Sequence, residues 1–244
     1  MHTPTVNTSS LSRPTPGTAA RREMASGARA MAPMMVSYLP FGLLLGTAAA
    51  RCTEPWAAWS GTGLIYGGSS HLTLIEMLRT GSGLWAAVGA ALLINARLLV
   101  YSSSLMPLWR SARLPIRLLA ATVIIDPTWL VASRRAEHGG STALQRVHFA
   151  GAATVLTVGW IAAVTAGMFL RPSGAATAVL GIALPLCLAA ILVPHLRMPG
   201  GIVAILVAAA VALGTTTMPS GSSTMLAMAS AAICGALTSG RSSR

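Results

Sequence analysis

Apolar stretches about as long as a bilayer is thick recur along this chain, separated by short polar segments that carry most of its arginines. Eight can be placed, at residues 32–50, 56–78, 84–108, 118–132, 147–170, 175–193, 201–213 and 224–237. A helix needs ~20 apolar residues to cross a ~30 Å hydrocarbon core. The chain is 54% hydrophobic and 9% charged, where soluble domains hold about 25% charged residues, so a water-facing surface cannot be built from it. The pattern predicts an all-α, polytopic integral membrane bundle of seven or eight segments, the seventh and eighth being short. One transmembrane domain is expected over residues 31–240. Residues 1–30 are rich in Thr, Ser, Pro and Arg and are expected to form a disordered cytoplasmic tail. They hold no apolar core ahead of a cleavage site, so no cleavable signal peptide is expected.

The net charge is +12 and every basic residue is arginine. The arginines are scattered between apolar segments, with no stacking platforms beside them, which argues against nucleic acid. They read as topology signals that meet lipid head groups. With eight full spans and an inside N-terminus, the outside holds Arg51, Arg110, Arg113, Arg117 and Arg171. If the second and fourth segments instead enter and leave on one side, only Arg51, Arg79 and Arg171 remain outside. Both threadings put the two termini in the cytoplasm and the chain in the cell inner membrane. The second and fourth segments are also odd in themselves. One has Gly67–Gly68 at its middle, and the other is short with Asp126–Pro127 at its centre. Proline cannot donate to a helix ladder and disfavours helix in the residue before it. Gly/Pro-interrupted segments are the sequence pointer to a transporter's binding site.

Arg97 sits at the middle of the third segment, where a charge costs at least ~2.5 kcal/mol. Asn95 lies two residues before it, about 200° away on a regular helix, and Tyr101 shares its face at i+4. Asp126 is the one acidic residue placed deep in a segment, so Arg97 and Asp126 are expected to neutralise each other. His71 is the third polar group at depth. The bland alternative is a pair that merely locks helices, with a histidine satisfied by one carbonyl. Glu54 and Glu76 lie near Arg51 and Arg79 at segment ends, where interfacial pairing suffices. The cysteines, Cys52, Cys187 and Cys234, form no cluster and read as packing residues. No metal motif, nucleophile elbow or phosphate-binding loop occurs, so no metal, cofactor or catalytic residue is expected. Gly42 and Gly46 form a GxxxG pair suited to close helix packing.

The stretches "LPFGLLLG" (39–46), "GGSSH" (67–71), "NARLLVYSSSLMP" (95–107) and "ATVIIDPTW" (121–129) resemble, in order and spacing, the azaleucine-resistance (AzlC) permease family. The matching positions are Pro40, Gly42, Gly46, Gly67, Asn95, Arg97, Tyr101 and Asp126. The resemblance implies the large subunit of a branched-chain amino acid exporter working with a small AzlD-type membrane subunit. Two positions depart from the family pattern: His71 stands where glutamine is common, and Pro127 where glutamate is common. On this reading Gly67, Gly68, Ser69, Ser70, His71, Asn95 and Tyr101 bind substrate, while Arg97, Asp126 and His71 form a charge pair or couple an ion. Backbone groups freed at "GGSSH" would meet the carboxylate and ammonium of a zwitterionic amino acid. The alternative is a channel-like or regulatory membrane subunit without coupled transport.

Overall fold

The computed structural model describes residues 16–170 and 201–215, with isolated positions at 226, 230 and 234. All regular structure among them is α-helical. The framework is α1 (Pro16–Ala50) packed along α9 (Thr142–Leu170). Without a hydrophobic force between helices in lipid, close approach of small residues drives such packing. A Cβ on Gly46 would collide with the Val164 carbonyl, and one on Gly151 with the Met24 carbonyl. Contacts climb both helices together, from Met24 against Gly151 through Met35 against Gly159 to Gly42 against Ala163. The two helices therefore run parallel. The end where both begin is called basal here, and the other apical.

The second segment is two helices, α2 (Pro55–Leu64) and α3 (Gly68–Arg79). α2 descends along α9 from the apical end: Trp56 meets Phe169 at 6.1 Å between centroids, Trp59 Nε1 donates to Thr165 Oγ1 at 3.0 Å, and the Tyr66 hydroxyl meets Thr157 Oγ1 at 2.5 Å. His71 Nε2 then lies 2.8 Å from the Ala58 carbonyl oxygen. Thirteen residues of continuous helix would hold these positions ~20 Å apart, so α3 doubles back beside α2. The bend puts Tyr66 at φ 43°, a left-handed conformation costing a non-glycine residue about 1 kcal/mol. Its hydroxyl contact on α9 holds it there.

α4 (Leu84–Asn95) and α5 (Arg97–Ser104) make one traverse, continued by α6 (Met106–Trp109). It ends at the basal end, where Trp109 packs on Phe149 and Arg146 Nε donates to the Leu108 carbonyl at 2.8 Å. The fourth segment is again two helices, α7 (Leu114–Thr122) and α8 (Asp126–Glu137). α7 climbs from the basal end. α8 returns to it, packing Val131 against Met31 and Met35 and pairing Arg135 with Glu23. Thr128, fully buried, ties the bend: its Oγ1 accepts from Ile125 N–H at 2.9 Å and donates to the Val123 carbonyl at 2.7 Å. Each traverse, α1 or α4–α6, is thus followed by a hairpin that re-enters from the end just reached. The second and fourth segments are both broken and re-entrant.

Among the described residues, three stretches are long and apolar enough to cross a membrane: Gly17–Ala50, Leu84–Ser104 and Thr142–Leu170. The seventh segment appears as α10 (Gly201–Gly214). The sixth and eighth fall outside the described stretches, apart from the isolated positions. One expectation is corrected. The tail read as disordered over 1–30 is helical from Pro16, because Met24 and Gly27 pack on α9 and Glu23 meets Arg135 and His148. Residues 1–15 lie outside the described residues.

Candidate functional site

The two bends meet at mid-height against the α4–α5 junction. Ala96 interrupts that helix: its N–H bonds the Leu93 carbonyl and its own carbonyl accepts from Leu99 N–H, both i→i+3 contacts at 3.1 Å. This tightened turn shifts the helical phase. Asn95 and Arg97, expected on opposite faces, consequently both meet the first hairpin's bend. A Cβ on Gly67 would lie 2.9 Å from Asn95 Oδ1, and Arg97 Nη2 donates to Ser69 Oγ at 3.4 Å.

Asp126 opens α8 at the second bend, with Pro127 in the first turn, where a missing N–H costs nothing. Its Oδ2 lies 3.2 Å from Arg97 Nη2, and its Oδ1 accepts from the Tyr101 hydroxyl at 2.7 Å. Both charged side chains are 37% exposed, so neither is sealed in the core of the described residues. Arg97 Nε is buried without a partner among the described residues. The amides of Gly68, Ser69 and Ser70 precede the first helical bond of α3, from His71 N–H to the Gly67 carbonyl, and no side chain caps them. An opposed carboxylate and guanidinium, with free amides alongside, can hold a small zwitterion.

The expected residues thus divide. Ser69, Arg97, Tyr101 and Asp126 converge, with Asn95 and Gly67 beside them. Gly68 serves close packing, since a Cβ there would press on the Phe41 and Trp160 rings. Ser70 is fully buried and bonds the Gly67 carbonyl. His71 is turned into the α2–α3 interface, 2% exposed, its Nδ1 without a partner among the described residues. Two residues escaped the sequence reading. Tyr38 on α1 packs, like Ile125 beside Asp126, against both the Tyr66–Trp160 and the Met31–Val131 core clusters. Trp129 stacks on Tyr101 at 4.8 Å and donates to Ser104 Oγ at 2.7 Å. The available signal was aromatic residues in otherwise apolar stretches, each beside a motif already singled out.

The sequence profile of the family described as AzlC protein matches residues 33–173. The chain belongs to the AzlC family. The match covers most of α1, both hairpins, the traverse between them and α9. AzlC proteins are a membrane transport-type family rather than an enzyme family. No curated protein and no solved structure matches the chain.

Proposed function

We propose that this AzlC chain is the large subunit of an ion-gradient-driven exporter of branched-chain or other small apolar amino acids. The observation that carries the reading is the meeting of two oppositely entering hairpins at Arg97 and Asp126. Broken helices whose ends converge near mid-membrane are how secondary transporters bind charged substrates away from water. The substrate carboxylate is placed against Arg97 and Ser69 at the start of α3, where the helix dipole favours negative charge. Its ammonium takes Asp126 and the Tyr101 hydroxyl. The Arg97–Asp126 contact opens to admit the zwitterion and recloses when it leaves, so the empty site carries no uncompensated charge. His71 acts in this scheme by fastening α3 to α2.

Location in the inner membrane with both termini cytoplasmic is part of the proposal. The basal end carries Arg21, Arg22, Arg110, Arg113, Arg134 and Arg146 beside the paired Arg135, against Arg51 and Arg79 at the apical end. That asymmetry supports a cytoplasmic basal end. A small AzlD-type membrane subunit is the proposed partner.

The test is efflux of labelled leucine, isoleucine, valine and methionine from proteoliposomes holding the purified chain with that small subunit, with and without an imposed proton or sodium gradient. Gradient-dependent efflux that Arg97→Ala abolishes supports the reading. Flux indifferent to any gradient assigns the chain to the channel-like class instead.

A further inference from the structure

Between α7 and α9, among the described residues, lies a groove of ≈730 Å³. Ile116, Leu119 and Val123 line one wall, and Phe149, Ala153 and Val158 the other. Arg113, Arg146 and Ser111 stand at its basal mouth, and no carboxylate lines it. Arg146 is fixed there: Nε donates to the Leu108 carbonyl at 2.8 Å, Nη2 to Ser111 Oγ at 2.6 Å, and its guanidinium carbon lies 6.0 Å from the Trp109 ring centroid. Its positive charge is not neutralised by any of these neutral partners. The exposed Arg113 guanidinium has no ion pair among the described residues, its backbone carbonyl accepting from Arg117 N–H at 3.1 Å.

We infer that this groove is a binding site for an anionic phospholipid of the basal leaflet, the phosphate between Arg113 and Arg146 and an acyl chain along α9. Three observations choose the occupant. From Arg146 to Val158 the groove follows twelve residues of α9, ~18 Å at helical rise, close to the ~15 Å depth of one leaflet. Along that length its walls are mostly apolar side chains, which suit an acyl chain. The mouth holds two uncompensated cations, which a zwitterionic lipid would not neutralise, whereas basic pockets between transmembrane helices suit anionic head groups. The stretch Trp109–Arg117, from the end of α6 into α7, whose three arginines no part of the substrate site uses, thereby gains a role. The lipid would lean on α7, the first arm of the hairpin that carries Asp126.

The experiment uses the full chain purified in detergent, with thermal unfolding followed on addition of phosphatidylglycerol, cardiolipin or phosphatidylcholine. The anionic lipids are expected to raise the melting temperature and phosphatidylcholine to leave it unchanged. Arg113→Gln, at an exposed and unpaired position, is expected to weaken the anionic lipid's apparent affinity about fivefold, and Ala150→Phe to block it. A photo-crosslinking amino acid at Leu119 then identifies the occupant by mass in native membranes, and a lipid adduct is expected. Equal stabilisation by phosphatidylcholine, insensitivity to Arg113→Gln, or an adduct to protein at Leu119 would each overturn the assignment.

Discussion

His71 Nε2 lies 2.8 Å from the carbonyl oxygen of Ala58. A carbonyl only accepts, so Nε2 carries the proton and the ring staples the returning arm of the first hairpin to the entering one. Glutamine can place its amide near the same point. His71→Gln should therefore keep transport and leave its pH profile unchanged between about pH 5.5 and 7.5, where a free histidine titrates. His71→Leu removes this tie between the two arms and should cost ~0.5–1.5 kcal/mol, the net worth of one hydrogen bond. Thermal unfolding of both variants with transport-versus-pH curves checks this. A flattened profile in the glutamine variant would show that His71 moves a proton.

Asp126 joins the second bend to the traverse through Arg97 and Tyr101. Substituting either charged partner removes a charge-assisted contact worth ~1.5–3 kcal/mol, so substrate affinity should fall roughly 10- to 100-fold. Stability should change less, because both side chains are over a third exposed. Labelled-leucine binding and unfolding of Arg97→Ala and Asp126→Asn separate the two effects. Wild-type binding by both variants would remove the pair from the site.

Tyr101→Phe keeps the stack on Trp129 and deletes only the hydroxyl that donates to Asp126. The expected result is a folded protein whose transport drops while its melting temperature shifts by a few degrees at most. Loss of folding would mean that the hydroxyl is structural.

The re-entrant hairpins fix which loops share a side. With the native cysteines replaced, single cysteines at Thr53 and Ser82 should react with an impermeant maleimide from one face, and those at Ser111 and Ser141 from the other. Four continuous crossings up to α9 would pair Ser82 with Ser141 instead, so the labelling pattern discriminates directly.

Glu23 holds Arg135 across α1 and α8, with His148 Nδ1 at 3.4 Å. The carboxylate and guanidinium are each about one-fifth exposed. Glu23→Gln should loosen the basal end of the second hairpin and speed hydrogen exchange in α8 relative to α9. Unchanged exchange there would show that the ion pair is not what retains the hairpin.

Much of this architecture was legible because backbone breakers announce themselves. Gly67–Gly68 and Asp126–Pro127 mark the two bends, and Arg97 and Asp126 were the deep opposite charges available to each other. The N-terminal helix was not legible: its Thr/Ser/Pro/Arg content resembles a solvated tail until Glu23 finds Arg135, a hundred residues away. The convergence of Asn95 and Arg97 was hidden for another reason. Helical phase cannot be carried through a turn such as Ala96 whose tightening the sequence does not show. Tyr38 was missed because an isolated tyrosine in an apolar helix carries no sign of which distant segments it will pack against.

Each traverse is followed by a hairpin that turns back from the end it has just reached, and the two units point opposite ways. A solute arriving from either face meets the same sequence of obstacles: a hairpin arm, a bend, then Arg97 and Asp126. The architecture therefore has no built-in arrow. On the proposed reading, the gradients across the membrane decide which way a bound amino acid moves, and the same molecule should run backwards when they are reversed.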